Sequence, residues 1–441
     1  MRRMKRLMPI LLCCVMAVGL SGCAKEDDEI VVRYLNFKPE VADVWEEIAE
    51  KYTAETGVKV EIISSPSNGN EQTLKSEIAK RNAPTIFQIN GPVGYETWKN
   101  YCVDLTNTDL YSWVADKDMV ITGEDGGVYG IPYVVEGYGI IYNDAIMQKY
   151  FSLPDKATTY TSMDQVNNFQ KLKEVAEDMQ LHKDELGIQG VFASTSFMQG
   201  EEWRWQTHLL NLPIYYEYKD KDATNLDELS FSYSKNFQNI FDLYINNSTI
   251  NKTEVGTKTV NDSMAEFATG KCAMVQNGNW AWSQISSTEG NVVKEEDCKY
   301  LPIYTGASGE ENQGLCIGTE CYLAINSLVS EETQQASIDF VEWVFGSEIG
   351  KDYVTNQFQF ITVFSTFSED EVPSNPLAKE VYRSINDIER YSVSWNFTTF
   401  PSQEFKDGVA DRLYNYCIDK GTYSEVQSYI VKEWKAQKSG N

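Results

Sequence analysis

From residue 30 onward the apolar positions recur with two different periods. Residues 30–37 (IVVRYLNF) and 58–63 (VKVEII) show the short runs and alternation of β-strands, whereas 40–56 (EVADVWEEIAEKYTAET) spaces them every three or four positions, as an amphipathic helix does. Gly57 closes that helix. A polar loop at 64–70 leads into a helical stretch at 71–81, and Pro84 introduces a strand over 85–89. This β-α-β-α-β order predicts an α/β fold with parallel strands joined by helical crossovers. Sheets of that kind bind ligands beyond the carboxyl ends of their strands, which singles out the loops at 36–38, 64–70 and 88–92.

From about residue 164 the pattern turns mainly helical, with candidates at 163–181, 201–210, 234–246 and 260–269. Strands at 273–276 and 299–303, a helix at 331–345 and a helical tail over 403–435 continue the α/β theme. At 441 residues the chain is too long for one ordinary domain, so two lobes are expected. The sequence shows neither an internal repeat nor a low-complexity segment.

The N-terminus has a pattern of its own. Arg2, Arg3, Lys5 and Arg6 precede an uncharged apolar run over 7–20. A membrane span needs ~20 apolar residues, so the run is short and reads as a secretory signal. It ends in Leu20-Ser21-Gly22-Cys23, which resembles the lipobox of bacterial lipoproteins. Residues 1–22 are therefore expected to be removed, Cys23 to be lipidated, and 23–29 to form a short tether on the outer face of the cell membrane. The membrane partner is then the lipid anchor alone.

Charge excludes one class of partner. The formal net charge is −27, with 38 Lys and Arg against 65 Asp and Glu, so the basic face that nucleic acid requires is lacking. Two histidines, His182 and His208, lie too far apart in sequence for a local metal motif and read as structural or surface residues; neither a metal nor another cofactor is expected. Beyond the signal and Cys23, six cysteines remain. Their spacing leaves the connectivity open, but the predicted strands bring Cys272 near Cys298, and Cys316 and Cys321 flank a short turn; both pairs are expected as disulfides.

The stretch Glu266-Phe267-Ala268-Thr269-Gly270-Lys271-Cys272-Ala273-Met274-Val275-Gln276-Asn277-Gly278-Asn279-Trp280-Ala281-Trp282 resembles the family 1 extracellular solute-binding proteins, the sugar-binding lipoproteins of ABC transporters, and within them the maltose-binding branch. Three further segments agree in order and spacing: 58–63 after its helix, Gly130-Ile131-Pro132-Tyr133 through Ile141-Tyr142-Asn143, and 321–345. Two positions depart from the pattern, Asn279 where proline is usual and Thr85 where aspartate is frequent. The resemblance implies a two-lobed periplasmic-binding-protein fold (type II, Venus-flytrap) with three interlobe crossings. The expected lobes are 30–138 plus 305–362 and 139–304 plus 363–438. It further implies a monomer that captures an oligosaccharide and delivers it to the permease subunits of an ABC importer, without enzymatic activity.

A pyranose carries hydroxyls on its rim and C–H groups on its faces, so a matching site combines carboxylates and amides with flat aromatic rings. Trp280, after a strand and a turn, is expected to stack on sugar. Glu136 interrupts an apolar run and, by the resemblance, matches a sugar-contacting glutamate at the first crossing. Asn36, Phe37, Lys38, Gln88 and Asn90 follow first-lobe strands. Trp203, Trp205, Trp395 and Phe397 are the second-lobe aromatics in regions that the resemblance associates with stacking. Two rival functions use the same residues: a sugar-sensing receptor subunit for a kinase, and a surface glycoside hydrolase, for which no hydrolase motif is present.

Overall fold

The computed structural model describes residues 30–66, 69–368 and 370–439. The signal segment, Cys23 and the tether lie outside the described residues. Among the described residues, twelve strands form two six-stranded sheets. They are β1 (Val31–Asn36), β2 (Lys59–Ser64), β3 (Ile86–Ile89), β4 (Ile121–Thr122), β5 (Val128–Pro132), β6 (Glu136–Asn143), β7 (Gly190–Phe192), β8 (Cys272–Gly278), β9 (Cys298–Leu301), β10 (Gln313–Gly318), β11 (Tyr322–Ile325) and β12 (Tyr391–Ser394).

The first sheet runs β2-β1-β3-β11-β5-β4, with β1 parallel to both β2 and β3 as the crossover pattern predicts. The connecting helix Ala42–Thr56 buries Trp45, Ile48, Ala49 and Tyr52 on one face and ends at Gly57, whose φ of 80° is the left-handed conformation glycine adopts without a Cβ penalty. The second sheet runs β12-β10-β6-β8-β7, and β9 also pairs with β6. Every residue of β6 is buried, because β8 flanks it on one edge and β9 and β10 on the other.

The chain passes between the sheets three times: from β5 to β6, from β10 to β11, and from β11 to β12. Each sheet has its own apolar core, one around Tyr34, Trp45, Phe340 and Phe345, the other around Leu209, Phe241, Leu413 and Trp434. The crossings lie elsewhere than the sequence indicates. The first falls at 133–135. Residues 305–318, assigned to the first lobe from sequence, end in β10, which pairs antiparallel with β6 through Cys316↔Tyr138 and Gly318↔Glu136 and belongs to the second sheet.

Both expected disulfides are absent: all six cysteines among the described residues are free and buried. Cys272 is on β8 and Cys298 on β9, with β6 between them. Two ladder spacings separate such strands by ~9.5 Å, beyond the ~4.4–6.8 Å Cα reach of a disulfide. Cys316 and Cys321 sit in the cores of different lobes, one on either side of the second crossing. The helix expected at 201–210 is a π-helical turn, Arg204–Leu209, that runs on into the helix Leu210–Asp220.

Candidate functional site

A cleft of about 680 Å³ lies between the lobes, within the usual range for small-molecule sites. A second depression of about 470 Å³, between the helix Ala42–Thr56 and β2, contains no aromatic residue. In the interlobe cleft the first lobe contributes Phe37, Lys38 and Glu40 from the loop after β1, Asn70 and Glu71 from the start of the next helix, and Asn90 after β3. All three stretches lie at strand carboxyl ends.

The second lobe contributes an aromatic wall. Trp203 precedes the π-turn, Trp280 follows β8, and Phe397 follows β12. Their rings gather around His208, at centroid distances of 5.0 Å to Trp203, 5.7 Å to Trp280 and 5.4 Å to Phe397. The imidazole stacks on Tyr138 at 4.2 Å with the planes only 7° apart. Burial, reinforced by the positive charges of Arg204, Lys406 and Lys38, holds His208 down at about 3, so it is neutral at the pH of the cell. The π-turn is what brings both Trp203 and His208 to the same wall, a placement that π-bulges often serve.

At the crossings two glutamates face the cleft. Glu136 opens β6, and its Oε1 accepts from Lys38 Nζ at 2.7 Å. Lys38 also lies 3.7 Å from Glu40 and 5.8 Å from the Trp280 ring centroid. Burial works to lower the Lys38 ammonium, but the charges of Glu136 and Glu40 and the hydrogen bond to Glu136 act together against it and leave it raised. Glu320, at the second crossing, is half-buried; burial pushes its carboxyl up to about 7 against the opposing charges of Lys406 and Lys38. Lys406 is in turn lowered by burial, with Glu320 opposing. The lobes meet at one rim, where Gly91 packs so closely on Thr398 that a Cβ there would fall 2.7 Å from the Thr398 Cβ.

Of the residues expected from sequence, Trp280, Glu136, Phe37, Lys38, Asn90, Trp203 and Phe397 line the cleft. Four do not. Asn36 is fully buried and braces the loop, donating to Lys38 O at 2.8 Å and Ser64 Oγ at 2.9 Å. Gln88 holds the same loop from below, accepting from Phe37 N at 2.8 Å and donating to the Tyr34 and Tyr133 hydroxyls. Trp205 points into the second core against Phe197, Phe241 and Tyr244, with Nε1 donating to Ser196 O at 3.3 Å. Trp395 is buried behind the wall, 5.0 Å from Phe397 and 6.5 Å from Trp280.

Sequence reasoning missed Glu320, Lys406 and His208. Glu320 had a usable signal, since it stands alone between two apolar strands just as Glu136 does. Lys406 sits on an ordinary amphipathic helix and had none. Both departures from the family pattern have local partners: Asn279 exchanges two hydrogen bonds with the Gly137 backbone, at 2.9 and 3.0 Å, beside Glu136, and Thr85 Oγ1 accepts from Arg33 N at 3.0 Å.

Residues 47–416 match the family described as bacterial extracellular solute-binding protein. Many solved structures share the fold. A chitin oligosaccharide binding protein is 16% identical, with a TM-score of 0.71 over 93% of this chain and 99% of that one. RafE in complex with raffinose is 17% identical, with a TM-score of 0.70 over 93% and 100%. A sugar transporter from Bacillus licheniformis in complex with stachyose is 15% identical, with a TM-score of 0.67 over 92% and 100%. No curated protein matches the chain in sequence. Among the described residues, no helix is long and apolar enough to cross a membrane.

Proposed function

For a chain that belongs to the bacterial extracellular solute-binding protein family, we propose that the interlobe cleft captures an oligosaccharide and presents it to the permease of an ABC importer. The observation that carries this reading is the pairing of surfaces within one cleft. Trp203, Trp280 and Phe397 offer flat apolar faces on one side, and Glu136, Glu320, Asn70 and Asn90 offer hydrogen-bonding groups nearby. A sugar ring needs both at once: rings against its C–H faces, acceptors and donors around its rim. The raffinose and stachyose complexes of proteins with the same fold support the choice of ligand class.

Ligand contacts from both lobes favour the closed arrangement by as much as they differ between open and closed states. Residues 1–22 direct export in this reading, and Cys23 carries the lipid that keeps the protein beside its permease. In this reading the lobes comprise 30–132 plus 322–364, and 136–318 plus 376–438, a division that the sheet pairings support. A thermal-shift panel of raffinose, stachyose, maltotetraose and chitotetraose tests the reading, because a ligand that binds only the native state raises the melting temperature. At least one of these is expected to do so, with micromolar or tighter affinity by calorimetry. Binding of none, alongside binding of amino acids or peptides, refutes it.

A further inference from the structure

The two hinge glutamates differ in one respect that sequence does not reveal. Glu136 has committed an oxygen to Lys38 and is almost wholly enclosed. Glu320 lines the same cleft, yet it accepts no hydrogen bond from any of the described residues. A carboxylate taken partly out of water without a partner is costly, and the cost falls when a donor arrives. The groups facing it are Lys406 on the helix Gln403–Cys417, Lys38 in the loop after β1 and Glu136 on β6. Neither lysine comes within salt-bridge distance of it.

We propose that Glu320 is the specificity-determining residue of the cleft, its uncommitted carboxylate accepting a hydroxyl hydrogen of the bound sugar and selecting uncharged over acidic sugars. The inference rests on the oligosaccharide reading above. The rest of the lining works in the same direction. Glu40, Glu71, Glu201, Glu202 and Asp407 surround the cleft, against which Lys38 and Lys406 are the two lysines. A uronic acid entering there meets like charge at close range, and Lys38, the buried lysine of the lining, is already paired with Glu136.

The donor-accepting form of Glu320 is the ionised one, so a ligand that uses it binds less tightly as the carboxyl takes up a proton. With the group held at about 7, affinity is fully present at pH 8 and falls as the pH is lowered through neutrality. A residue with a purely structural role produces no such profile.

The experiment is calorimetric titration of the full protein at pH 8.0 and pH 5.5 with the best binder among raffinose, stachyose, maltotetraose and chitotetraose, and with tetragalacturonate as the acidic probe. For the wild type, affinity for the neutral sugar is expected to drop about tenfold or more between pH 8.0 and 5.5, with no measurable tetragalacturonate binding. Glu320→Gln keeps the shape and one acceptor but loses the charge. It should bind the neutral sugar about tenfold more weakly at pH 8.0, with little change at pH 5.5. A neutral sugar bound equally at both pH values and equally by Glu320→Gln overturns the assignment, as does tetragalacturonate bound as tightly as the neutral sugar. Failure of every neutral sugar to bind is a different result: it removes the oligosaccharide reading, and this inference with it.

Discussion

Lys38 Nζ lies 2.7 Å from Glu136 Oε1, and the two side chains are only 6% and 4% exposed. One partner belongs to the loop after the first strand of the first sheet, the other opens the central strand of the second. The pair therefore ties the lobes together at the hinge, where the ligand is proposed to sit. Two charges this far from water each need the other as a partner.

Breaking that pair from one side leaves an uncompensated buried charge. Lys38→Met is expected to cost ~3–5 kcal/mol in urea-induced unfolding. The double change Lys38→Met with Glu136→Leu should recover most of the loss, because it removes both desolvated ions. A single variant within ~1 kcal/mol of wild type shows the pair to be dispensable.

Two tryptophans of the second lobe should respond in opposite ways. Trp280 is half-buried at the cleft, so Trp280→Ala is expected to cost ~2 kcal/mol of binding, roughly thirtyfold in affinity, with a small change in ligand-free melting. Gly278→Ala should mimic it, since the Trp280 ring lies directly on Gly278 and a Cβ there would overlap the indole. Trp205 is 4% exposed, so Trp205→Ala should instead lose ~3–5 kcal/mol of stability. Calorimetry and ligand-free melting on the three variants separate these outcomes.

Glu320 also sets a pH dependence of stability. Its folded-state pKa of about 7 lies above the unfolded value of 4.5, so the folded protein holds the proton more tightly. The stability this contributes is present below pH 4.5 and is lost as the pH rises through 7. Ligand-free Glu320→Gln should therefore melt above wild type at pH 8 and level with it at pH 4.5. Equal melting at both values contradicts a desolvated carboxyl.

The thiol chemistry follows from the strand order. Burial raises Cys102, Cys298, Cys316 and Cys417 to about 12 and holds Cys272 and Cys321 well above the usual thiol range. These six are expected to resist alkylation in the native protein and to react together in denaturant, with identical peptide maps before and after reduction. A peptide pair that separates only on reduction would restore a disulfide.

Anchoring is tested at Cys23. Cys23→Ser should release the protein from the membrane fraction into soluble material, and unchanged retention counts against lipidation.

The sequence by itself determined the local chemistry: the period of each strand and helix, the parallel start of the first sheet, and the residues whose type suits a sugar. The helix Ser234–Asn246 has the bounds its spacing predicts, and the loops after β1 and β3 reach the cleft as their positions at strand ends require. Direction was decided only by tertiary packing. Trp203 and Trp205 are equivalent in composition and neighbourhood, but the π-turn that follows Trp203 sends one ring to the cleft and the other into the core. Cys272 and Cys298 lie in neighbouring segments, and β6 inserts between them. Glu136 and Glu320 are each a lone acid in an apolar setting, yet Lys38, distant in sequence, folds back to neutralise one and leaves the other uncommitted. Side-chain type is a property of each residue, whereas partnership depends on which distant segments a crossing brings within hydrogen-bond reach.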